Sequence, residues 1–229
     1  MEELRGEKDD FEIEILSEAV RIADIAMAEA ANYLQVGIRE CDVSEVIESA
    51  LKSAGATGTA FDTIVASGPN SALPHHKAGN RLISKGDSVV IDMGALYKDY
   101  RSDLSRTYFV GDSERSKFDE IYGIVLEAQM AAEESARPGM LGMELDAVAR
   151  DVIEGYGYGS FFGHGLGHGV GVDVHELPMV VPSSNDRILP GSVFTVEPGI
   201  YIPGWGGVRI EDVLVMGDSS AEVLTLSKK

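Results

Sequence analysis

Apolar side chains recur at helical spacing through FEIEILSEAVRIADIAMAEAANYLQV, residues 11–36, with Ile15, Ala19, Ile22, Ala26, Met27 and Ala30 on one face. The pattern predicts a long helix ended by Gly37, then a second from about Val43 to Ala54, closed by Gly55. Residues 117–136 read as another long helix, broken by Pro138 and Gly139. A fourth runs from about Met143 to Glu154 and stops near residues 155–157. Apolar, β-branched runs predict strands at 60–67, 87–95 and 103–110 after the first pair, and at 164–174, 192–197 and 208–216 after the second.

The order helix, helix, strands thus occurs twice, and a shift of 102 residues superimposes the copies. Gly37 meets Gly139, Val43 meets Leu145, Leu51 meets Ile153, and Gly55 meets Gly157. Amphipathic helices share some of this through periodicity alone, but matched glycines at both helix ends favour a duplicated unit. No linker or low-complexity segment interrupts the pattern. The expectation is one pseudo-symmetric domain over residues 1–229, with a site between its halves.

VVIDMGALYKDYRSDLSRTYFV, residues 89–110, reads as a hairpin of two antiparallel strands. With its turn centred on Tyr97 and Lys98, Asp92 faces Asp103, a pairing of like charges that destabilises a sheet. Glu197 in SVFTVEPGIYIP and Glu211 in GGVRIEDVLVM also sit within apolar runs. A lone buried carboxylate tends to take up a proton. Four such acids and a histidine are explained together if divalent cations lie between them. A mostly oxygen ligand set favours Mn²⁺, with Co²⁺, Fe²⁺ or Zn²⁺ also compatible. Carboxylates can bridge, so the set suits two ions roughly 3.5 Å apart.

All five histidines fall in two windows, SGPNSALPHHKAG with His75 and His76, and GHGLGHGVGVDVHELP with His164, His168 and His175. The glycine spacing in the second is not GxGxxG and no helix follows, which argues against a nucleotide site. Strand alternation puts His164, Leu166 and His168 on one face and leaves room for a close approach on the glycine face. His175 has the opposite parity, so it joins them only through a bulge or bend near residues 169–171.

Composition narrows the setting. With 44% hydrophobic and 25% charged residues the chain reads as an ordinary globular protein. Its net charge of −19 argues against nucleic acid and anionic membranes as partners. Cys41 alone can form neither an internal disulfide nor a cysteine-based zinc site. The opening MEELRGEKDDFEIEIL is charged where a signal peptide needs an apolar core, and no run is long enough to span a bilayer. The expected location is cytoplasmic.

In order, IDMGALYKDYRSDLSRTYFVG, GHGLGHGVGVDVHELP, VFTVEPGIY and GGVRIEDVLV closely resemble the Xaa-Pro peptidases of the pita-bread metallopeptidase superfamily. The resemblance spans essentially the whole chain. It implies an α+β pita-bread fold, a curved antiparallel sheet backed by two helix pairs, in agreement with the repeat. It further implies a dinuclear-metal exopeptidase that cleaves the Xaa-Pro bond at the N-terminus of short peptides by a metal-bridging hydroxide. By the same resemblance Asp92 binds one metal, Asp103 and Glu211 bridge both, and His168 and Glu197 complete the second. Glu197 doubles as the base, His75 and His175 hold the scissile carbonyl, and His164 and Arg209 lie by the proline-side pocket.

Two departures bear on function. Family members usually carry an additional N-terminal domain, whereas this sequence begins almost at the catalytic domain, as expected of either a naturally short member or an excised domain; a homodimer is expected on the resemblance alone. Dipeptide-specific members often place an arginine just after the HExP segment, where this chain has Met179, which leans toward an aminopeptidase over a strict dipeptidase. Methionine aminopeptidase shares the fold and ligands, but the VRIED form of the last ligand and the histidine after SALP argue against it. A peptide-binding pseudoenzyme would leave the buried carboxylates unexplained.

Overall fold

A computed structural model describes residues 2–229. Its helices are α1 (Glu2–Gly6), α2 (Asp10–Tyr33), α3 (Glu40–Ser53), α4 (Ser116–Ser135) and α5 (Gly142–Gly155). The Asp9 carboxylate accepts the Glu12 N–H at 2.9 Å while Glu12 accepts the Asp9 N–H at 3.0 Å, a reciprocal cap that starts α2. The helix stops at Tyr33, short of residue 36, where Leu34 turns extended, and the Gly37 N–H then bonds the Ile83 carbonyl at 2.8 Å.

The repeat extends to the backbone hydrogen bonds. Gly139 donates to Ile188 O at 2.7 Å, as Gly37 does to Ile83. Ile83 N reaches Ile38 O at 2.8 Å and Ile188 N reaches Met140 O at 2.9 Å. The third residue of α3, Asp42, accepts the Arg39 N–H at 3.1 Å, and its counterpart Glu144 accepts the Leu141 N–H at 2.9 Å. Gly37, Gly55, Gly139 and Gly157 all take positive φ, between 83° and 115°, where other residues are strained.

The first half carries β1 (Gly58–Thr59), β2 (Ile64–Ser67), β3 (Ser88–Met93), β4 (Ala95–Tyr97), β5 (Tyr100–Arg101) and β6 (Leu104–Phe109). The second carries β7 (Gly167–Gly169), β8 (Glu176–Val180), β9 (Val193–Val196), β10 (Gly199–Ile202), β11 (Gly206–Arg209), β12 (Asp212–Met216) and β13 (Ala221–Val223). All pairings are antiparallel, with strand orders β2-β3-β6, β1-β4-β5, β10-β11 and β13-β12-β9-β7-β8. The halves join where Glu211 N donates to Ser105 O at 3.1 Å and the Thr107 hydroxyl bonds the Arg209 backbone at 2.8 and 3.0 Å.

Three strand expectations change, the first being the single strand over 208–216, which is split into β11 and β12 with Ile210 and Glu211 between them. The hairpin turn lies at Lys98 and Asp99, both in the left-handed region, and not at Tyr97 and Lys98. A two-residue turn of this hand matches strand twist, and aspartate tolerates it better than tyrosine. Asp92 therefore faces Ser105, and Asp103 sits two residues along on the same side, a diagonal neighbour rather than the opposed partner. The strand expected over 164–174 contracts to β7, because Leu166 N is drawn to the Asp146 carboxylate at 2.9 Å. Leu166 is accordingly buried among core residues and does not share a face with His164 and His168.

Each helix pair covers its own strands. Ile22, Met27, Val43, Ile47 and Leu51 pack on Val65, Val89, Ile91 and Leu104. Ile121, Val125, Leu145 and Ile153 pack on Phe194, Val196, Val208 and Leu214. Leu16 and Val20 at the start of α2 cross to Val170, Val193 and Val213 of the other half, so the two cores are stitched together. Among the described residues no helix is long and apolar enough to cross a membrane.

Candidate active site

The concave face of the sheets encloses a cavity of about 520 Å³. Asp92 from β3, Asp103 between β5 and β6, His168 from β7, Glu197 after β9 and Glu211 before β12 all line it, with His75, His164, His175 and Arg209. Every site residue singled out in the sequence therefore reaches one cavity. His175 gets there as its parity required, through a bulge between His168 and Gly169, and its ring centre lies 4.2 Å from that of His168.

The glycines of residues 165–169 make the floor thin. A side chain on Gly167 would collide with the Thr195 carbonyl, and one on Gly169 with that of Leu177. What approaches their bare face is the neighbouring backbone, which brings β7 close enough to β9 to set His168 beside Glu197.

Ligand atoms of Asp103, His168 and Glu211 all lie within 4.8 Å of one another. His168 Nε2 is 3.3 Å from Glu197 Oε1 and 3.7 Å from Asp103 Oδ2. The His168 Nδ1–H donates to Gly169 O at 3.0 Å, which turns Nε2 toward the acids, where it would ligate a cation on losing its own proton. Asp92 Oδ1 is buried without a hydrogen-bond partner, a vacancy that a buried carboxylate oxygen rarely tolerates.

Electrostatics point the same way. Burial, then repulsion from Glu211, Asp92 and Glu197, pushes Asp103 well above the ordinary carboxylate range. Burial, then Glu197 and Asp92, does the same to Glu211. Asp92 is raised by burial, partly offset by Arg209. Burial also pushes Glu197 up, but the His168 hydrogen bond and charge outweigh it and hold Glu197 at about 2. His168 is desolvated yet raised by the same bond. The donor set, four crowded acids and one aimed imidazole nitrogen, fits divalent cations.

Arg209 is buried behind the acids. Its guanidinium donates to Asp92 Oδ2, to Ser105 Oγ at 2.8 Å, to Tyr201 Oη at 3.0 Å and to Pro74 O at 3.3 Å. Ser105 in turn donates to Glu211 Oε2 at 2.8 Å. Tyr201 Oη lies 2.8 Å from His164 Nε2, whose Nδ1–H donates to Gly165 O at 2.7 Å, so the Tyr201 hydroxyl donates to that ring. Burial lowers His164 and, with neighbouring His168, lowers His175. The sequence did not single out Ser105, Tyr201 or Thr195, whose hydroxyl accepts the His168 N–H at 3.1 Å and donates to Glu197 Oε1 at 3.4 Å. Ser105 could have been found two residues after Asp103 on the same strand face.

Residues 14–218 match the model of metallopeptidase family M24. The chain belongs to this family. An M24 relative, the Xaa-Pro dipeptidase of Pyrococcus furiosus, is 48% identical over 100% of this chain and 66% of its own length. A solved Xaa-Pro dipeptidase from Bacillus anthracis superposes with a TM-score of 0.97 at 47% identity, covering 100% of this chain and 64% of that one. An X-Pro aminopeptidase from Thermotoga maritima gives 0.95 at 42% identity, covering 98% and 63%. Solved prolidase and aminopeptidase P structures share the pita-bread fold described above. The chain spans about two thirds of the curated relatives' length.

Proposed function

We propose that this chain is the catalytic domain, a single unit over residues 1–229, of a two-metal peptidase that hydrolyses the Xaa-Pro bond of short peptides. The observation that carries the proposal is the convergence of Asp92, Asp103, His168, Glu197 and Glu211 on one cavity walled by His75 and His175. Membership of M24 and relatives bearing Xaa-Pro dipeptidase and aminopeptidase names support it. Two divalent cations held by those five residues would supply an activated water and charge neutralisation at the scissile carbonyl. Manganese is our choice for its match to an oxygen-rich set, and the cytoplasm is the setting we assign.

The chain's own groups supply the rest. Glu197 is partly open to the cavity and would take the proton from the attacking water and pass it to the prolyl nitrogen. His75 and His175 would donate to the carbonyl oxygen as it gains charge. The His164 ring, fixed between Gly165 O and Tyr201, would wall the prolyl side. Arg209, four of whose N–H groups are already engaged, would act by holding Asp92 rather than by gripping peptide.

Cleavage of Ala-Pro and of Ala-Pro-Ala by the Mn²⁺-loaded chain tests the reading. Turnover of the tripeptide alone marks an aminopeptidase, the outcome favoured by Met179 at the cavity wall, whereas preference for the dipeptide marks a prolidase. Two bound metals with no cleavage of either peptide would overturn the assignment for this chain.

A further inference from the structure

Glu40, the first residue of α3, is fully buried, and its ionisable partner among the described residues is a histidine rather than lysine or arginine. Its Oε1 accepts from Ser67 N at 2.8 Å, Ser67 Oγ at 2.7 Å and Asn70 Nδ2 at 2.9 Å. Its Oε2 accepts from Gly79 N at 3.3 Å and lies 2.9 Å from His76 Nε2, which acts as donor to it. Burial pushes this carboxyl up, but the bonds from Ser67, His76 and Asn70 prevail and keep it below its ordinary value, so the contacts are charge-assisted.

These donors bracket residues 67–79: the end of β2, the 3-10 turn Gly68–Ala72, and the loop that carries His75 into the cavity. The His75 imidazole has no hydrogen-bond partner of its own among the described residues, so its direction is inherited from the backbone on either side. On one side Pro74 O is held by Arg209 at 3.3 Å. On the other, the His76 ring is turned into Glu40. The loop is thus pinned immediately before and immediately after the histidine that faces the peptide. Arg81 strengthens the far end, bonding both Ser67 Oγ and Asp87 at 2.5 Å.

We infer that Glu40 and His76 are positioning residues for His75, setting its imidazole against the scissile carbonyl. The inference rests on the hydrolytic reading above. A small misplacement of a carbonyl-holding group falls on kcat, so His76→Ala should lower kcat about 10- to 100-fold with KM little changed. Metal content should stay at the wild-type level. His76→Gln, which keeps a donor near the Nε2 position, should recover most of the loss.

A double-mutant cycle on the Mn²⁺-loaded chain decides between positioning and mere loop stability. Positioning predicts that His76→Ala has no further effect once His75 is alanine, because the two act as one unit. The same fold-loss in both backgrounds, or wild-type turnover in His76→Ala, would overturn it. NMR gives a second reading independent of turnover. The His75 imidazole signal, one of five and identified by its absence in His75→Ala, should move in His76→Ala and return in His76→Gln. An unmoved signal would overturn the inference. If the wild-type chain cleaves no Xaa-Pro peptide, the hydrolytic reading fails while the NMR comparison still decides the positioning.

Discussion

Asp103 has the most crowded position in the cavity: burial and three neighbouring carboxylates act on it together, and His168 Nε2 lies 3.7 Å away. Asp92 is at the margin, with one oxygen held by Arg209 and the other unpartnered. The two aspartates should therefore differ on amidation. Asp103→Asn should remove most of both metals, and Asp92→Asn about one, read as metal per chain after gel filtration in Mn²⁺ buffer; equal losses would show that Asp103 does not bridge. The four acids stood out in the sequence because a carboxylate in an apolar strand needs an explanation. Ser105, Thr195 and Tyr201 did not, because hydroxyl and aromatic residues are ordinary in strands and their burial raises no question. Arg209 was legible as a site residue, but its attachment to Asp92 and Ser105 depends on a contact between halves over a hundred residues apart.

The four long helices were legible to within a turn, since their period is local and their glycine stops are sharp, whereas the short α1 carries too few residues to show a period. Strand lengths and register were less so, because those are settled by neighbours the sequence does not put adjacent. The hairpin slipped by one position on each arm through its turn residues, and the strand over 164–174 lost its ends to Asp146 and to the bulge. The glycines of β7 make the dependence measurable. Gly167→Ala would push a methyl group into the Thr195 carbonyl and separate β7 from β9. Overpacking of this kind typically removes about 1–3 kcal/mol, visible as a lower urea midpoint at unchanged m, and His168 should lose metal with it. Gly163, with open space around it, is the control, and Gly163→Ala should unfold within about 0.5 kcal/mol of wild type.

At the scale of the molecule, Asp92 and Asp103 come from the first half and His168, Glu197 and Glu211 from the second, so bound cations would tie the halves together. A ligand that binds only the folded state at a hundred times its Kd adds about 2.7 kcal/mol, so stripping metal with a chelator should lower Tm by roughly 5–10 °C. Calorimetry with and without chelator, followed by Mn²⁺ add-back, checks this; an unchanged Tm would mean that the five residues hold no structural metal. The duplication itself was readable from matched glycines, and the structure extends it to matched hydrogen bonds. That faithful repetition has a consequence for ancestry and design. A dimer of identical halves must present the same residue twice, once on each side of its axis. A chain in which the copies are fused escapes that constraint and can set two aspartates against a histidine and two glutamates. The peptide bond joining the halves is what frees a symmetric scaffold to hold a substrate that has two different ends.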